Sequence, residues 1–299
     1  MKVLITGACG FLSRALVSEL ANRHELILLD RVRPEQATVF VPGQHERATA
    51  PLTTRWPFVV AEITDPAAMR AVLEGVEAVV HLAAAVSGLP ELGVRTFEAN
   101  ALGTFVVLDA ARQAGVRRFL CASSINAYGT FYWRLSGAPV VYTTMPLDES
   151  YPPVPEDPYS LSKLVNEQTA AAFHRAYGLT TAAFRFAGVW SEAMYDAARA
   201  QSLPPTTGWS DDLYQWVHIA DIAGGLATAL DAPDLPGHGV YTLGAADTRC
   251  PEPTEELLRR FRPDLADATT TPLPGRAPLL SIAAARAAFG YDPQYRLGA

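Results

Sequence analysis

Lysine is nearly missing from this 299-residue chain: of its 24 basic residues only Lys2 and Lys163 are not arginine. Arginine stays protonated and presents a broad planar fork, so a position that keeps lysine here points to a need for a compact ammonium that tunes neighbouring acids. Cysteine is sparse too. Cys9, Cys121 and Cys250 are odd in number, far apart and without paired ligand spacing. That excludes a disulfide framework and a zinc site, and leaves reduced thiols. No run of eighteen or more apolar residues occurs, which excludes a membrane-spanning helix of ordinary length. The chain enters an apolar run at Val3-Leu4-Ile5 with no cationic region or cleavage site before it, so a cytoplasmic protein is expected. A net charge of −7 without a basic run argues against nucleic-acid partners and anionic membranes. Carboxylates and histidines show no clustered ligand spacing, so no metal is expected.

What is present is a core. Apolar residues make up 49% of the chain, and its length suits one large α/β domain or a domain with a smaller partner lobe. Residues 2–6 read as a buried strand that runs into Gly7-Ala8-Cys9-Gly10-Phe11-Leu12-Ser13 and then a helical pattern through Leu16, Val17 and Leu20. Glycines in such a turn let backbone N–H groups approach a pyrophosphate, and the helix N-terminus adds partial positive charge. A second strand, 25–30, ends in Asp30 about twenty residues on, where a carboxylate would accept ribose hydroxyls and repel a 2′-phosphate. NAD is favoured. Arg31 and Arg33 follow directly and are suited to such a phosphate, so NADP stays open beside it.

Residues 32–56 read as an irregular excursion. A third strand over 57–61 precedes Glu62 and Ile63, which would flank an adenine, and Asp65 caps a helix from Pro66 to Leu73. A fourth strand, 77–82, leads into small residues suited to close dinucleotide approach, and one long amphipathic helix over 91–114 carries Asn100. A fifth strand from Arg117 ends near Ser123-Ser124-Ile125-Asn126. This alternation of strand and helix predicts a parallel sheet. Residues 129–157 form a long connection with Tyr132, Trp133 and Val140-Val141-Tyr142, expected to be a packed lid or a short hairpin near the site. Asp157-Pro158 opens a helix ending at Gly178. On it Tyr159 and Lys163 stand four residues apart, stacked on one face, where an ammonium adjusts a phenol. A strand over 180–186, a helix over 219–231, a strand over 239–243 and helices near 252–261 and 281–289 complete the chain.

Taken together, Thr6-Gly7-x-x-Gly10-Phe11-Leu12, Asp30, Val80-His81-Leu82-Ala83-Ala84, Asn100 with Gly103-Thr104, Ser123-Ser124 with Tyr128-Gly129, Pro158-Tyr159-x-x-x-Lys163, Val217-His218 and Asp221-Ile222 span nearly the whole chain. In these motifs the sequence resembles the extended short-chain dehydrogenase/reductases of the NAD-dependent epimerase/dehydratase family. The resemblance implies an α/β fold with a Rossmann-type doubly wound parallel sheet over 1–188. It also implies a small C-terminal substrate-binding lobe over 189–299, with part of 216–243 packing back. It assigns Tyr159 as the acid/base, Lys163 as the group that lowers its pKa, Ser124 as the partner of the reacting oxygen and Asn100 as a support. It gives the cofactor Gly7, Cys9, Gly10, Phe11, Leu12, Asp30, Arg31, Glu62, Ile63, Leu82, Ala83, Ala84, Asn100, Tyr159, Lys163 and Phe186. Ser87, Ser124, Asn126, Tyr128 and Gly188 fall to the substrate, and a homodimer through helices 91–114 and 158–177 is implied.

Two departures matter. Ser13 stands where the family's third glycine is usual, which predicts a slightly altered helix approach. Just ahead of Val217-His218, where nucleotide-sugar enzymes place an arginine to hold a diphosphate, this chain reads Asp212-Leu213-Tyr214-Gln215-Trp216, and Arg199 is the only basic residue between 190 and 216. The leading expectation is hydride transfer at a secondary alcohol, carbonyl or lactol of a small sugar-like substrate such as a sugar acid. The alternatives are a nucleotide-sugar epimerase or dehydratase with retained NAD, and, more remotely, a non-catalytic dinucleotide-sensing regulator. His81 and His218 read as packed residues first.

Overall fold

β1 (Lys2–Thr6) shows why the chain folds around it: Val3, Leu4 and Ile5 are consecutive, apolar and fully buried. A strand with apolar residues on both faces needs cover on both faces. The computed structural model describes residues 1–43, 47–201 and 203–298. In it β1 lies between β2 (Glu25–Asp30) and β6 (Ala78–His81), and the sheet has the order β11-β8-β7-β6-β1-β2-β5. The others are β5 (Phe58–Val60), β7 (Arg118–Ser124), β8 (Thr180–Phe186) and β11 (His238–Leu243), and every pairing is parallel.

Successive β1 residues feed opposite layers. Val3 and Ile5 pack with Leu16 and Leu20 of α1 (Phe11–Leu20) and Ile222, Leu226 and Leu230 of α7 (Ile219–Asp231). Leu4 packs with Met69 of α2 (Pro66–Val72), Val107 and Ala111 of α4 (Gly103–Gln113) and Phe173 of α5 (Pro158–Tyr177). Strand order reverses at β1, so the carboxyl ends of β1 and β6 open the crevice where such sheets bind ligands.

Three stretches differ from expectation. The 32–56 excursion contains a short antiparallel hairpin, β3 (Thr38–Phe40) with β4 (Arg47–Thr49); residues 44–46 of the predicted irregular stretch lie outside the described residues. The 91–114 helix is not uniform: α3 (Gly93–Phe97) widens into a π-helical turn at Glu98–Leu102 before α4 begins. Residues 129–157, all of them described, hold neither helix nor sheet strand. The expected hairpin does not form because single parallel bridges tie Met145 to Thr269 and Leu147 to Leu280 instead.

The C-terminal third is tied back to the sheet. β9 (Val189–Trp190) pairs with β10 (Val217–His218), α6 (Glu192–Ala200) lies between them in sequence, and β11 extends the main sheet beside β8. His218 caps α7 and stacks on Tyr295 at 3.5 Å between ring centres, while Asp221 accepts from the N–H groups of Gln294 and Tyr295. The Val-His and Asp-Ile motifs therefore fasten the end of the chain. Helices α8 (Thr254–Phe261), α9 (Pro263–Asp267) and α10 (Ala283–Phe289) complete this part.

Candidate active site

The glycine turn after β1 is shaped by contact with the strand beside it. Gly7 has φ +70, and a Cβ there would lie 2.7 Å from the backbone N of Ala83. Only glycine combines that backbone region with that approach. The Gly7 carbonyl accepts from the Gly10 N–H at 2.9 Å and from the Ser13 hydroxyl at 2.7 Å. Ser13 is buried, so the residue in place of a third glycine closes the turn with its own hydrogen bond. Asp30 accepts from Cys9 N at 3.0 Å through one oxygen and from Val32 N at 3.1 Å through the other. Its carboxylate is thereby fixed against the turn, with lone pairs left over for ribose hydroxyls. Burial pushes the Cys9 thiol up to about 11, so it is a neutral packing group. Arg14, which sequence reasoning missed, donates to Cys9 O at 3.1 Å and to the carbonyls of Ala50 and Pro51, pinning the 32–56 excursion onto the turn.

Of the other residues assigned to the cofactor, Phe11, Leu12, Leu82, Ala83 and Ala84 are half-buried, with Leu12 and Leu82 packed against the core, and Arg31 and Glu62 are exposed. Ile63 is buried against Gly103, where a Cβ would meet its side chain at 2.5 Å. Phe186 ends β8 directly opposite Ser124.

Asp157 caps α5 by accepting from the N–H groups of Tyr159 and Ser160, which sets Tyr159 in the first helical turn beside the end of β7. The Tyr159 phenol lies beside Ser124, whose hydroxyl pulls its pKa down. Lys163 lies one turn on, with Nζ 5.5 Å from the Tyr159 ring centre and donating to Ala122 O at 3.0 Å. Burial pushes the phenol up to about 12, against the pull of the Ser124 hydroxyl, and lowers the ammonium to about 8. Burial favours the neutral form of each, so each charge, once formed, favours the other.

Asn100 is fully buried, and its amide is already engaged. Oδ1 accepts from Ala85 N at 2.7 Å, and Nδ2 donates to Ala85 O at 3.0 Å and Ser162 Oγ at 2.9 Å. The π-helical turn brings it there, and such turns recur at functional sites. Asn100 is a positioning group between the loop after β6 and the helix of Tyr159. It belongs to a longer polar seam. Thr6 Oγ1 meets His81 Nδ1 at 2.8 Å, and His81 Nε2 meets Thr104 Oγ1 at 3.1 Å. The Asn166 amide, oriented to satisfy its neighbours, bonds Thr104 Oγ1, Ser162 O and Asn100 O. Burial and the nearby Lys163 charge lower His81 to about 3, so it is a neutral link in this seam.

One more turn along α5, Glu167 accepts from Ser123 Oγ at 2.6 Å and from Arg185 Nε and Nη2 at 2.9 and 2.8 Å. The Arg185 guanidinium covers the Tyr128 ring at 4.2 Å. Tyr128 is fully buried with its hydroxyl 3.3 Å from Thr242. It is therefore a core residue, not the expected substrate contact, because Arg185 covers its ring and Thr242 of β11 meets its hydroxyl.

The residues expected on the substrate side meet others from distant parts of the chain. Gly188 N donates to Gln215 Oε1, leaving the buried Gln215 Nε2 without a partner, and Asn126 Oδ1 is likewise buried and unpartnered. Ser87 is half-buried on the loop after β6. Trp133 packs edge-on against Tyr159 at 5.5 Å. Tyr132 faces Gln215 and the Asp212–Arg249 pair. Arg249 bonds Asp212 at 2.8 Å and Gln215 O at 3.1 Å, so a guanidinium does reach the stretch ahead of Val217, already paired with a carboxylate. Arg276, Arg286 and Arg296 line a cavity of about 500 Å³. Arg276 also borders a second one of about 290 Å³ with Arg199. Arg276, Arg286 and Arg296 come from beyond β11, and Arg199 lies on α6. Among the described residues no group of three or more His, Cys, Asp or Glu is placed to hold a metal.

With a glycine turn at the switch point and Ser124, Tyr159 and Lys163 beside it, the chain also matches the sequence profile of one family over residues 3–244. The chain belongs to the NAD dependent epimerase/dehydratase family. A putative UDP-glucose 4-epimerase of Methanocaldococcus jannaschii is 29% identical over 194 residues, 64% of this chain and 56% of that protein. A uronate dehydrogenase of Pseudomonas putida is 28% identical over 191 residues, 62% of this chain and 59% of that protein. The chain thus matches less than two thirds of either relative's length. The crystal structure of the UDP-glucose 4-epimerase of Thermotoga maritima with UDP-glucose superposes with a TM-score of 0.68 at 22% identity, covering 99% of this chain and 95% of that one. This likeness is one of fold.

Proposed function

We propose that this member of the family is an NAD-dependent oxidoreductase acting at a secondary alcohol, carbonyl or lactol of a small sugar-like substrate, such as a sugar acid. Tyr159 is its acid/base. The reading rests above all on the Ser124-Tyr159-Lys163 set, a half-buried serine beside a buried phenol and ammonium: a hydroxyl oxygen reaching Ser124 meets a phenol held against an ammonium. The residues present fit NAD. Gly7 and Gly10 allow close backbone approach, the first turn of α1 offers free N–H groups, and the fixed Asp30 carboxylate suits an unphosphorylated ribose. When bound, NAD supplies the hydride acceptor. Ser124 holds the substrate oxygen, Tyr159 takes or returns its proton, and Lys163 steadies the phenolate.

A monosaccharide is preferred over a nucleotide sugar because Arg249, the guanidinium nearest Gln215, is neutralised by Asp212. A second reading, a nucleotide-sugar epimerase or dehydratase that retains NAD, is supported by the relatives. Both a uronate dehydrogenase and a UDP-glucose 4-epimerase stand among the relatives. A dinucleotide-sensing regulator would have no use for the Tyr159-Lys163 pair. Incubation with NAD and a panel of sugar acids and nucleotide sugars, followed by absorbance of the reduced cofactor, separates the readings. Net reduction with a sugar acid supports the first. Interconversion of a nucleotide sugar without net reduction supports the second.

In this reading residues 1–188 carry the cofactor and 189–299 the substrate, with 216–243 packing back on the sheet. We place the enzyme in the cytoplasm as a homodimer. Val94, Phe97, Phe105 and Leu161 leave apolar surface exposed on α3, α4 and α5, the helices that a partner would cover. Sedimentation as a monomer at micromolar concentration would count against the dimer.

A further inference from the structure

Trp133 has φ +56, a left-handed backbone that bulky side chains rarely adopt. Two contacts hold it there. Its indole lies on the Gly88 backbone so closely that a Cβ at 88 would sit 2.3 Å from the ring, and its other side meets Tyr159 edge-on at 5.5 Å and 72°. Gly88 belongs to the loop after β6 and Tyr159 to α5. The indole therefore bridges the loop after β6 and the first turn of α5 against the reacting phenol, and only 8% of Tyr159 remains exposed. Tyr132 continues this wall toward Gln215, whose Nε2 is buried and unpartnered.

We infer that Trp133 is a specificity-determining residue: its indole walls off the space beside Tyr159, confines it to a single sugar ring and turns away substrates carrying a nucleoside diphosphate. The inference rests on the reading of a small sugar-like substrate given above. Physically, an indole offers the C–H face of a pyranose a large rigid apolar surface at small entropic cost, while the reacting hydroxyl meets Tyr159 and Ser124. The Gln215 amide is a donor in want of an acceptor, which a ring or carboxylate oxygen supplies. A bulky substituent has to displace the indole from its seat on Gly88.

Trp133→Ala removes the wall. Gly88→Ala unseats the indole without removing it, and Trp133→Phe keeps a smaller ring. With NAD and paired free and nucleotide-linked sugar acids, the ratio of kcat/KM for free over linked substrate is expected to fall about tenfold or more in Trp133→Ala and Gly88→Ala and much less in Trp133→Phe. An unchanged ratio in Trp133→Ala overturns the inference. A second arm needs no substrate: ultraviolet titration of the Tyr159 phenol, taken as the difference from a Tyr159→Phe counterpart of each variant. Opening the wall is expected to bring its ionisation down from about 12 toward the ordinary tyrosine value. An unmoved titration overturns the inference. If the parent turns over neither substrate class, the functional reading fails while this titration still decides the role of Trp133.

Discussion

Lys163 lies one helical turn beyond Tyr159, its ammonium 5.5 Å from the phenol ring centre and bonded to the Ala122 carbonyl at 3.0 Å. In a chain with one other lysine, the buried one faces the one phenol placed beside Ser124. The short stem and the carbonyl bond hold the charge where a phenolate would form.

Lys163→Met removes that charge. The pH at which oxidation begins to rise is expected to move upward by about one unit or more, because a nearby cation favours the phenolate. Lys163→Arg is expected to restore little, since its wider fork has no room at a fully buried site. Profiles of kcat/KM against pH for the three proteins check this, and coincident profiles would contradict it.

The same lysine leaves a mark on stability. Burial lowers Lys163 to about 8 in the folded protein, below its ordinary value, so between the two values the unfolded chain binds a proton that the folded chain does not. Stability therefore rises with pH across that window. Denaturant midpoints of the parent and Lys163→Met, compared from pH 8 upward, are expected to converge or cross as the parent gains and the variant does not.

Asp30 accepts from Cys9 N and Val32 N through separate oxygens. Asp30→Asn turns one acceptor into a donor and removes the charge. The dissociation constant for NAD is expected to rise about tenfold or more, and discrimination against NADP to shrink. Titration by cofactor fluorescence measures both; unchanged affinities would show that the carboxylate only shapes the turn.

Glu167 meets Ser123 and, through Nε and Nη2, one edge of Arg185 in the core. Glu167→Gln leaves a buried guanidinium uncompensated and is expected to destabilise the fold by about 3–5 kcal/mol. Denaturant unfolding tests this, and a loss near zero would mean that water reaches Arg185.

The parts of this protein legible in its sequence are those in which neighbours in the chain do the work. The β1 core pattern, the glycine turn, the cap at Asp157 and the Tyr159-Lys163 spacing all follow from local periodicity and turn chemistry. What was not legible depends on chain segments far apart. Arg249 reaches Asp212 from beyond β11, Arg185 and Thr242 draw Tyr128 into the core, and parallel bridges replace a hairpin in 129–157. Asn100 could be picked out as a site residue, but the π-helical turn that aims it at Ala85 and Ser162 has no signature in an otherwise ordinary helical pattern. Ser13 shows the reverse case: read as a defect in the glycine motif, it bonds the Gly7 carbonyl and completes the turn.

The most direct measurement is turnover by Tyr159→Phe, with NAD and whichever sugar substrate the parent uses, alongside NAD binding by the same variant. Loss of turnover by at least about 10²–10⁴-fold, with NAD affinity close to the parent's, is the predicted result. Turnover equal to the parent's would contradict the account, since it assigns the proton transfer to the Tyr159 phenol.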